Sequence, residues 1–596
     1  MRIAVVVKQV PTFTEMALDA DGRLIRAGLP LELNPYCRRA VSQAVELAGA
    51  RAAAAVTIVT LGPPSAEDTL REAIAWGLER GVDTDGLLVT DAAFAGSDTL
   101  ATARALAAAL SLAGPFDLIL AGRNSVDADT GQVPPELAEL LDLPFLTGVR
   151  TLTLEGRTVQ AHCEHDDGWI DAEVDLPAVL SCAERLIEPC KVDLPGRAAV
   201  PAERIRRLAA ADLGPGPWGQ AGSPTTVGAV RVHEVDREGI VLDGPLDDQI
   251  RTAVDVLVRR GALAARPEGT GGSLGGSVPR PGNRAGPAVG VVLEADRPHV
   301  AQELLSAAAD LAEEIDGHVV ALAEAGEADA ARLGAWGADE VVMLVGDALA
   351  AEDVAGAVVE WAAPAAPWAV LAPSTAWGRE VAGRAAVRLG AGLTGDAVGF
   401  DVDDGRLVAW KPAFGGQVVA AITASSPVQM ATVRPGMLPR REPRQDGAIT
   451  SRLDVTSRGR LRIRARARDD DTNALAEAAV VVGVGTGLGP EDYVELQDLL
   501  DVLGAELGAT RKVTDRGWQP HARQIGITGR SIAPNLYVAI ALSGKFNHMV
   551  GVRSSGTILA INGERDVPVF AAADVGIIGD WREAVPALVA ELRSRL

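Results

Sequence analysis

"VTIVTLGPPSAEDTLREAIAWGLERGVDTDGLLV" (Val56–Val89) and "HVVALAEAGEADAARLGAWGADEVVML" (His318–Leu344) decide the fold. Each opens on an unbroken apolar run, enters a loop of small residues, continues as a helix ending near Ala-Trp-Gly, and closes on a second apolar run. Apolar runs without polar alternation read as strands buried on both faces. Separated by helices, they build a parallel sheet covered on both sides. Outward from the first stretch, Ile3–Val7 supplies an earlier strand, a helix begins at Asp98, and Leu118–Ala121 supplies a later strand. Outward from the second, "AVGVVLEA" (Ala288–Ala295) takes the part of the opening strand. "DLILAGRNSVDADTGQVPPELAELLDLP" (Asp117–Pro144) is echoed by "AVLAPSTAWGREVAGRAAVRLGAGLTGD" (Ala369–Asp396). The chain is therefore expected to carry two copies of one doubly wound α/β unit.

Between the copies, "RPEGTGGSLGGSVPRPGNRAG" (Arg266–Gly286) is rich in Gly, Pro and Ser and reads as a flexible, exposed linker. A third, Rossmann-like unit opens at "AVVVGVGTGLG" (Ala479–Gly489), after the basic run "RGRLRIRARAR" (Arg458–Arg468). That run alternates Arg with apolar residues. It suits either a nucleic-acid surface or a solvated edge strand, and the acidity of the chain favours the strand. The expected division is 1–264, a linker over 265–286, then 287–440 and 441–596.

The 596 residues are 48% hydrophobic and 23% charged, which suits several globular cores and excludes a disordered chain. A formal net charge of −24 argues against partners that are nucleic acids or anionic lipid surfaces. Four scattered cysteines are no disulfide framework. His162-Cys163-Glu164-His165 lacks a second ligand cluster, so no metal is expected. The opening "MRIAVVVKQVP" has too short an apolar run for a signal peptide. The uncharged stretch Pro412–Val433 contains Pro412, Gly415, Gly416, Ser425, Ser426 and Pro427, which a membrane helix would expose to lipid. A cytoplasmic location is expected.

The third unit holds its polar and small residues where strands should end. After Gly483, Gly485, Gly487 and Gly489 come Thr510 and Arg511 in "GATRKVTD", then "QIGITGR" (Gln524–Arg530), "SGKFNH" (Ser543–His548), "AIN" (Ala560–Asn562) and "AAADVGIIGDW" (Ala571–Trp581). Strand ends of an open α/β sheet are where its ligand sits. In this order the motifs resemble the FAD domain of the electron transfer flavoprotein α subunit. Residues 288–440 resemble that subunit's N-terminal domain. Residues 1 to about 264 resemble the β subunit, including "NPYC" (Asn34–Cys37) and the arm "GQAGSPTTV" (Gly219–Val227). The chain thus resembles both subunits fused.

The resemblance implies an FAD site formed by Thr510, Arg511, Gln524, Ile525, Gly526, Ile527, Thr528, Ser543, Gly544, Lys545, Phe546, Asn547, His548, Asn562, Asp580 and Trp581. In it Ser543 holds a phosphate and His548 lies near the flavin O2. Arg511 lies over the isoalloxazine ring, Thr528 lies near N5, and Asn562 and Asp580 face the adenosine side. Two positions depart from the pattern: Ile527 stands where the family has Gln, and Thr486 where it often has Arg. A second nucleotide site is implied at Val6, Asn34, Cys37, Leu61, Asp127, Asp129, Thr130, Gln132, Val133 and Arg384. Simple members hold AMP there. Bifurcating members hold a second FAD, with the residue matching Arg384 beside it. The segments Gly383–Asp396 and Lys411–Met437 resemble the bifurcating branch, while Pro134 replaces its Gly. Implied partners are flavoprotein dehydrogenases, met through Leu194 in "CKVDLPGRAAVPAER", a membrane quinone oxidoreductase, and NADH if the protein bifurcates. The alternative of another class is a nucleotide-binding stress-type module.

Overall fold

The computed structural model describes all residues except 13–28, 52, 167, 233–236, 264–275, 327, 328, 348, 414–417, 469–473, 476, 477, 527, 528 and 596. They form two compact units, one within residues 1–231, 274–414 and 418–467, the other within 232–273, 415–417 and 468–596.

The first unit contains both copies. In the first copy the strand Arg2–Val6 is flanked on one side by Ala55–Leu61 and Asp83–Val89. On the other side lie Leu118–Gly122, Ala178–Cys182 and Phe145–Glu155. In the second copy Ala288–Val292 is flanked by His318–Glu324 and Glu340–Val345, and then by Ala369–Pro373, Gln429–Val433 and Gly392–Ala397. The neighbours are parallel, and counted along each copy both sheets have the order 3-2-1-4-6-5. The outer strands correspond too, Ile205–Leu208 beside Asp83–Val89 and Ile449–Asp454 beside Glu340–Val345. The duplication read from the sequence is thus a duplication of topology. Strands such as Leu118–Gly122 and Ala369–Pro373 are buried throughout because helices cover both faces.

Each copy lends the other a strand. In the first, the antiparallel strands Thr158–His165 and Gly168–Asp175 extend the sheet, and Leu461–Arg468 joins them at its edge. In the second, Arg406–Ala413 and Val418–Ala424 receive Thr225–Val232. The basic run is therefore an edge strand, and it closes the first copy's sheet instead of heading the third unit. Arg462 meets Asp175 at 3.0 and 3.1 Å, and Arg464 meets Glu173 at 2.7 Å. The expected breaks at 264 and 440 do not follow the spatial grouping, because residues 441–467 finish sheets of the first unit and part of the front segment enters the second. The expected linker also differs. Residues 264–275 lie outside the described residues, but Val278 is buried in the second copy's core and its N–H donates to the Glu442 carbonyl at 2.9 Å. Gly282 N donates to Asp339 at 3.2 Å.

The second unit is a parallel sheet. In sheet order its strands are Ile240–Leu242, Val575–Ile578, Thr557–Asn562, Leu536–Ile540, Val480–Val484, Glu506–Thr510 and Gln524–Ile525. Without the first it is the Rossmann order, whose topological switch lies between Val480–Val484 and Leu536–Ile540. Ile240–Leu242 and the helix Leu246–Arg259 come from the front of the chain. That helix buries Ile250, Ala253, Val254, Val256 and Leu257 in the same core as Trp581, Val585 and Leu588 of the helix Trp581–Arg595.

Candidate cofactor sites

In the second unit the motif residues gather at the carboxyl ends of the strands. Beyond Val484 and Ile540, the loops 485–489 and 541–545 touch at the switch point. A Cβ on Gly485 would lie 2.4 Å from the Ala541 carbonyl oxygen, and one on Gly487 would lie 2.8 Å from the Ala541 Cβ. Gly544 has φ +68°, and a Cβ there would lie 2.2 Å from the Val569 Cα. Only glycine lets these loops pass so closely while keeping their amides near the crevice. Thr486, Gly487, Ser543, Lys545 and Asn547 are exposed there, and the half-exposed Arg511 rests against Asp515 at 3.2 Å. Thr510 precedes the short helix Arg511–Asp515. Gln524 is buried and accepts from the Thr514 hydroxyl at 2.7 Å. Ile525 is core. Gly526 has φ +133° and passes His548 so closely that a Cβ would lie 2.5 Å from the Asn547 carbonyl oxygen. Ile527 and Thr528 lie outside the described residues.

Several expected contacts face another way. His548 is 7% exposed; its Nδ1–H donates to the Ile525 carbonyl at 3.1 Å and its Nε2 accepts from the Tyr537 hydroxyl at 2.7 Å. Burial holds its pKa down at about 4, against a small upward pull from the Ile525 carbonyl. The ring is neutral and turned into the sheet, with both nitrogens bonded within the protein. Trp581 is a core residue with the Arg582 guanidinium 4.5 Å over its ring. Asn562 braces the loop, its Nδ2 donating to the Leu542 carbonyl at 3.0 Å. Exposed Asp580 accepts from the Arg582 N–H at 2.9 Å at the start of the last helix. Phe546 begins the short helix Phe546–Met549. Tyr537 was not singled out by the sequence; its place inside an apolar strand hid it.

In the first unit the loop after Leu118–Gly122 is held from both copies. Val6 and Leu61 end neighbouring strands. Buried Asn34 donates through Nδ2 to the Asn124 carbonyl at 2.8 Å and accepts from Val126 N at 3.3 Å, so the "NPYC" turn braces the loop. Burial raises the pKa of the adjacent Cys37 thiol. Lys8 Nζ lies 2.8 Å from Asp127; burial works to raise that carboxyl, and the ammonium outweighs it and holds it low. Asp129 sits at φ +47° and accepts from Asn124 Nδ2 at 2.7 Å. Thr130 is half-buried. Gln132 is buried, and Val133 opens the helix Val133–Leu140.

From the second copy Lys411 Nζ donates to the Ala128 carbonyl at 2.7 Å, and Arg379 lines Gly131. Neither was singled out by the sequence, because their partners lie about 250 to 280 residues away. Arg384 departs from expectation. It is 0% exposed and bound to Glu139 at 3.0 Å and Glu380 at 3.0 Å, so its guanidinium clamps two helices and is not presented to a ligand. The His162–His165 segment forms no metal centre: along the strand Cys163 is buried, while half-exposed His162 on the opposite face bonds Asp171 at 2.7 Å. Among the described residues no group of three or more His, Cys, Asp or Glu side chains could hold a metal ion. No helix there is long and apolar enough to cross a membrane.

Residues 21–213 and 289–455 both match the electron transfer flavoprotein domain. The chain belongs to the electron transfer flavoprotein family. Residues 474–553 match the electron transfer flavoprotein FAD-binding domain. The front of the chain is 34% identical over 264 residues to the electron transfer flavoprotein subunit beta of Thermoanaerobacterium thermosaccharolyticum, covering 44% of this chain and 99% of that protein. This chain is also 36% identical over 250 residues to that organism's subunit alpha, covering 41% of this chain and 76% of that protein. The caffeyl-CoA reductase-Etf complex subunit CarD of Acetobacterium woodii is 37% identical over 190 residues, covering 32% of this chain and 71% of that protein. This flavoprotein therefore carries α-like and β-like parts in one chain. The second unit fits FAD: two glycine-paired loops meet at the switch point, with exposed hydroxyl, amide and cationic groups around them.

Proposed function

We propose that this chain is a self-contained electron carrier. FAD is held at the carboxyl edge of the second unit, and an adenine nucleotide is held by the loop Asp127–Gln132 of the first. The observation that carries this reading is the convergence of Gly485, Gly487, Arg511, Ser543 and Gly544 on one switch point in a chain that unites both subunit-like parts. When bound, FAD supplies reversible acceptance of electrons from other flavoproteins. The chain's own residues bind and tune it. The amides of the two glycine loops would receive phosphate, Ser543 and Lys545 would add a hydroxyl and a charge, and Arg511 would offer a cation to the negative charge that develops on reduction. In this reading Asp580 keeps the adenosine-side role that the resemblance implies.

Electrons enter from partner dehydrogenases and leave to a quinone oxidoreductase or another acceptor. Support for docking comes from Leu194, 72% exposed on the short helix Leu194–Ala198. Buried Glu72 ties this loop down through Arg197 at 3.0 Å, while Arg38, also bound to Glu72, holds the Cys190 carbonyl at 3.0 Å.

A second reading places FAD in both sites, with oxidation of NADH. Lys411 favours it: it brings positive charge to the first unit's loop from a segment that resembles the bifurcating branch, and Arg379 adds a second cation there. The name of the CarD relative, which joins a reductase to Etf, points the same way. Against it, Arg384 is spent on Glu139 and Glu380. Counting the nucleotides released on denaturation decides. One FAD and one AMP per chain support the simple carrier, two FAD support the second reading, and a protein that binds no flavin sinks both.

A further inference from the structure

Behind the first unit's loop lies a proton count that does not close with an ionised carboxylate. The Thr99 hydroxyl is 3.0 Å from Gln132 Oε1 and 3.0 Å from Glu136 Oε1. A hydroxyl has one proton and cannot donate to two acceptors. The Gln132 amide is oriented the other way round by the Leu393 carbonyl, to which Nε2 donates at 3.5 Å; a flipped amide would set oxygen against oxygen. Glu136 is 0% exposed, and its Oε2 has no hydrogen-bond partner among the described residues. A proton carried by Glu136 closes the count.

We propose that Glu136 is a positioning residue for the loop Asp127–Gln132. Its carboxyl proton is donated to the Thr99 oxygen, Thr99 donates to Gln132 Oε1, and Gln132 Nε2 pins the loop to the Leu393 carbonyl in the second copy. The relay runs from a buried acid in one copy to a strand, Gly392–Ala397, in the other.

The surroundings agree. Burial and then the Asp98 carboxylate raise the Glu136 pKa to about 8, against downward pulls from the Thr99 hydrogen bond and Arg104. Asp98 is fixed as a neighbour because it accepts from Ala101 N at 2.9 Å and Thr225 Oγ1 at 2.7 Å. From the helix Ala376–Leu389, which passes so that a Cβ on Gly383 would lie 3.6 Å from Glu136 Cγ, come Arg384, Arg388 and Glu380. Both arginines bind Glu139 on the helix that carries Glu136, and Arg384 also binds Glu380. The adjoining strand Ala178–Cys182 adds only the Cys182 thiol as a titratable group. Among the described residues no cation bonds to Glu136. Ionisation leaves two acceptors on one hydroxyl and releases the Gln132 pin, so the loop loosens as pH rises through about 8.

The role of the loop in holding a nucleotide rests on the function proposed above, and the test separates the two. Infrared spectra of the full chain at pH 7 are compared between wild type and Glu136→Gln, whose amide N–H can still donate to Thr99. A protonated-carboxyl carbonyl band lost in the variant is expected, and carboxylate bands in its place overturn the proposal. Amide hydrogen exchange over residues 127–132 reads the latch, with both proteins at the same pH. At pH 9, one unit above the value of about 8, wild type is expected to exchange faster than the variant, because its ionised, unlatched form is then in about tenfold excess. Equal exchange at pH 9 overturns the latch. Should the purified protein release no AMP and no second FAD, the nucleotide reading falls while these two measurements still decide the latch.

Discussion

At the scale of single residues, a neutral pair, Tyr537 and His548, ties the short helix Phe546–Met549 to the central strand of the second unit's sheet. Removing the hydroxyl with Tyr537→Phe leaves a buried imidazole nitrogen without its donor, which costs about 1–3 kcal/mol. Urea titration of the full chain measures it. His548 also links stability to pH. Its folded value of about 4 is below the ordinary 6.5, so the unfolded state binds the extra proton between them. Its contribution is complete above pH 6.5 and is lost as pH falls toward 4, and in His548→Gln that part of the slope disappears. With His548 neutral, Arg511 and Lys545 are the cations the proposed site relies on. Arg511→Ala is expected to lower the flavin's reduction potential with the fold intact, and spectroelectrochemical titration would show an unchanged potential if the assignment were wrong.

At the scale of elements, strands and helices complete structures that begin far away in the chain. The helix Leu246–Arg259 packs on Trp581–Arg595, although more than 300 residues separate them. Leu257, 1% exposed, sits in that contact, and Leu257→Ala should cost about 2–5 kcal/mol in denaturant unfolding. The same geometry governs a cut in the linker. Proteolysis between Arg266 and Gly286 leaves Ile240–Leu242 paired with Val575–Ile578, so the fragments are expected to co-elute with the flavin on gel filtration. Separate elution would contradict this pairing.

At the scale of the whole molecule, two copies with one strand order exchange edge strands reciprocally. Thr225–Val232 passes to the second copy's hairpin and Leu461–Arg468 to the first's. A single-chain carrier follows if each nucleotide site is filled once per chain. The count of FAD and AMP released from the purified protein is the measurement that bears on all of it.

The sequence by itself determined the duplicated parallel units, the Rossmann-like third unit and its strand-end motifs. Those depend on local periodicity and on glycines that let backbones approach, and both are written in short stretches such as Val56–Val89 and Ser543–His548. Only the tertiary structure decided which partner each polar side chain takes. Arg384 is absorbed by Glu139, His548 by Tyr537 and Trp581 by the core, while Lys411 and Arg379 reach a loop on the other copy. Which sheet the basic edge strand completes, and the docking of Val278 and Gly282 from the stretch read as a flexible linker, were not legible for the same physical reason. A strand's register names its own faces, but which sheet edge it completes is set by packing between segments hundreds of residues apart, and one chain's local pattern carries no record of that.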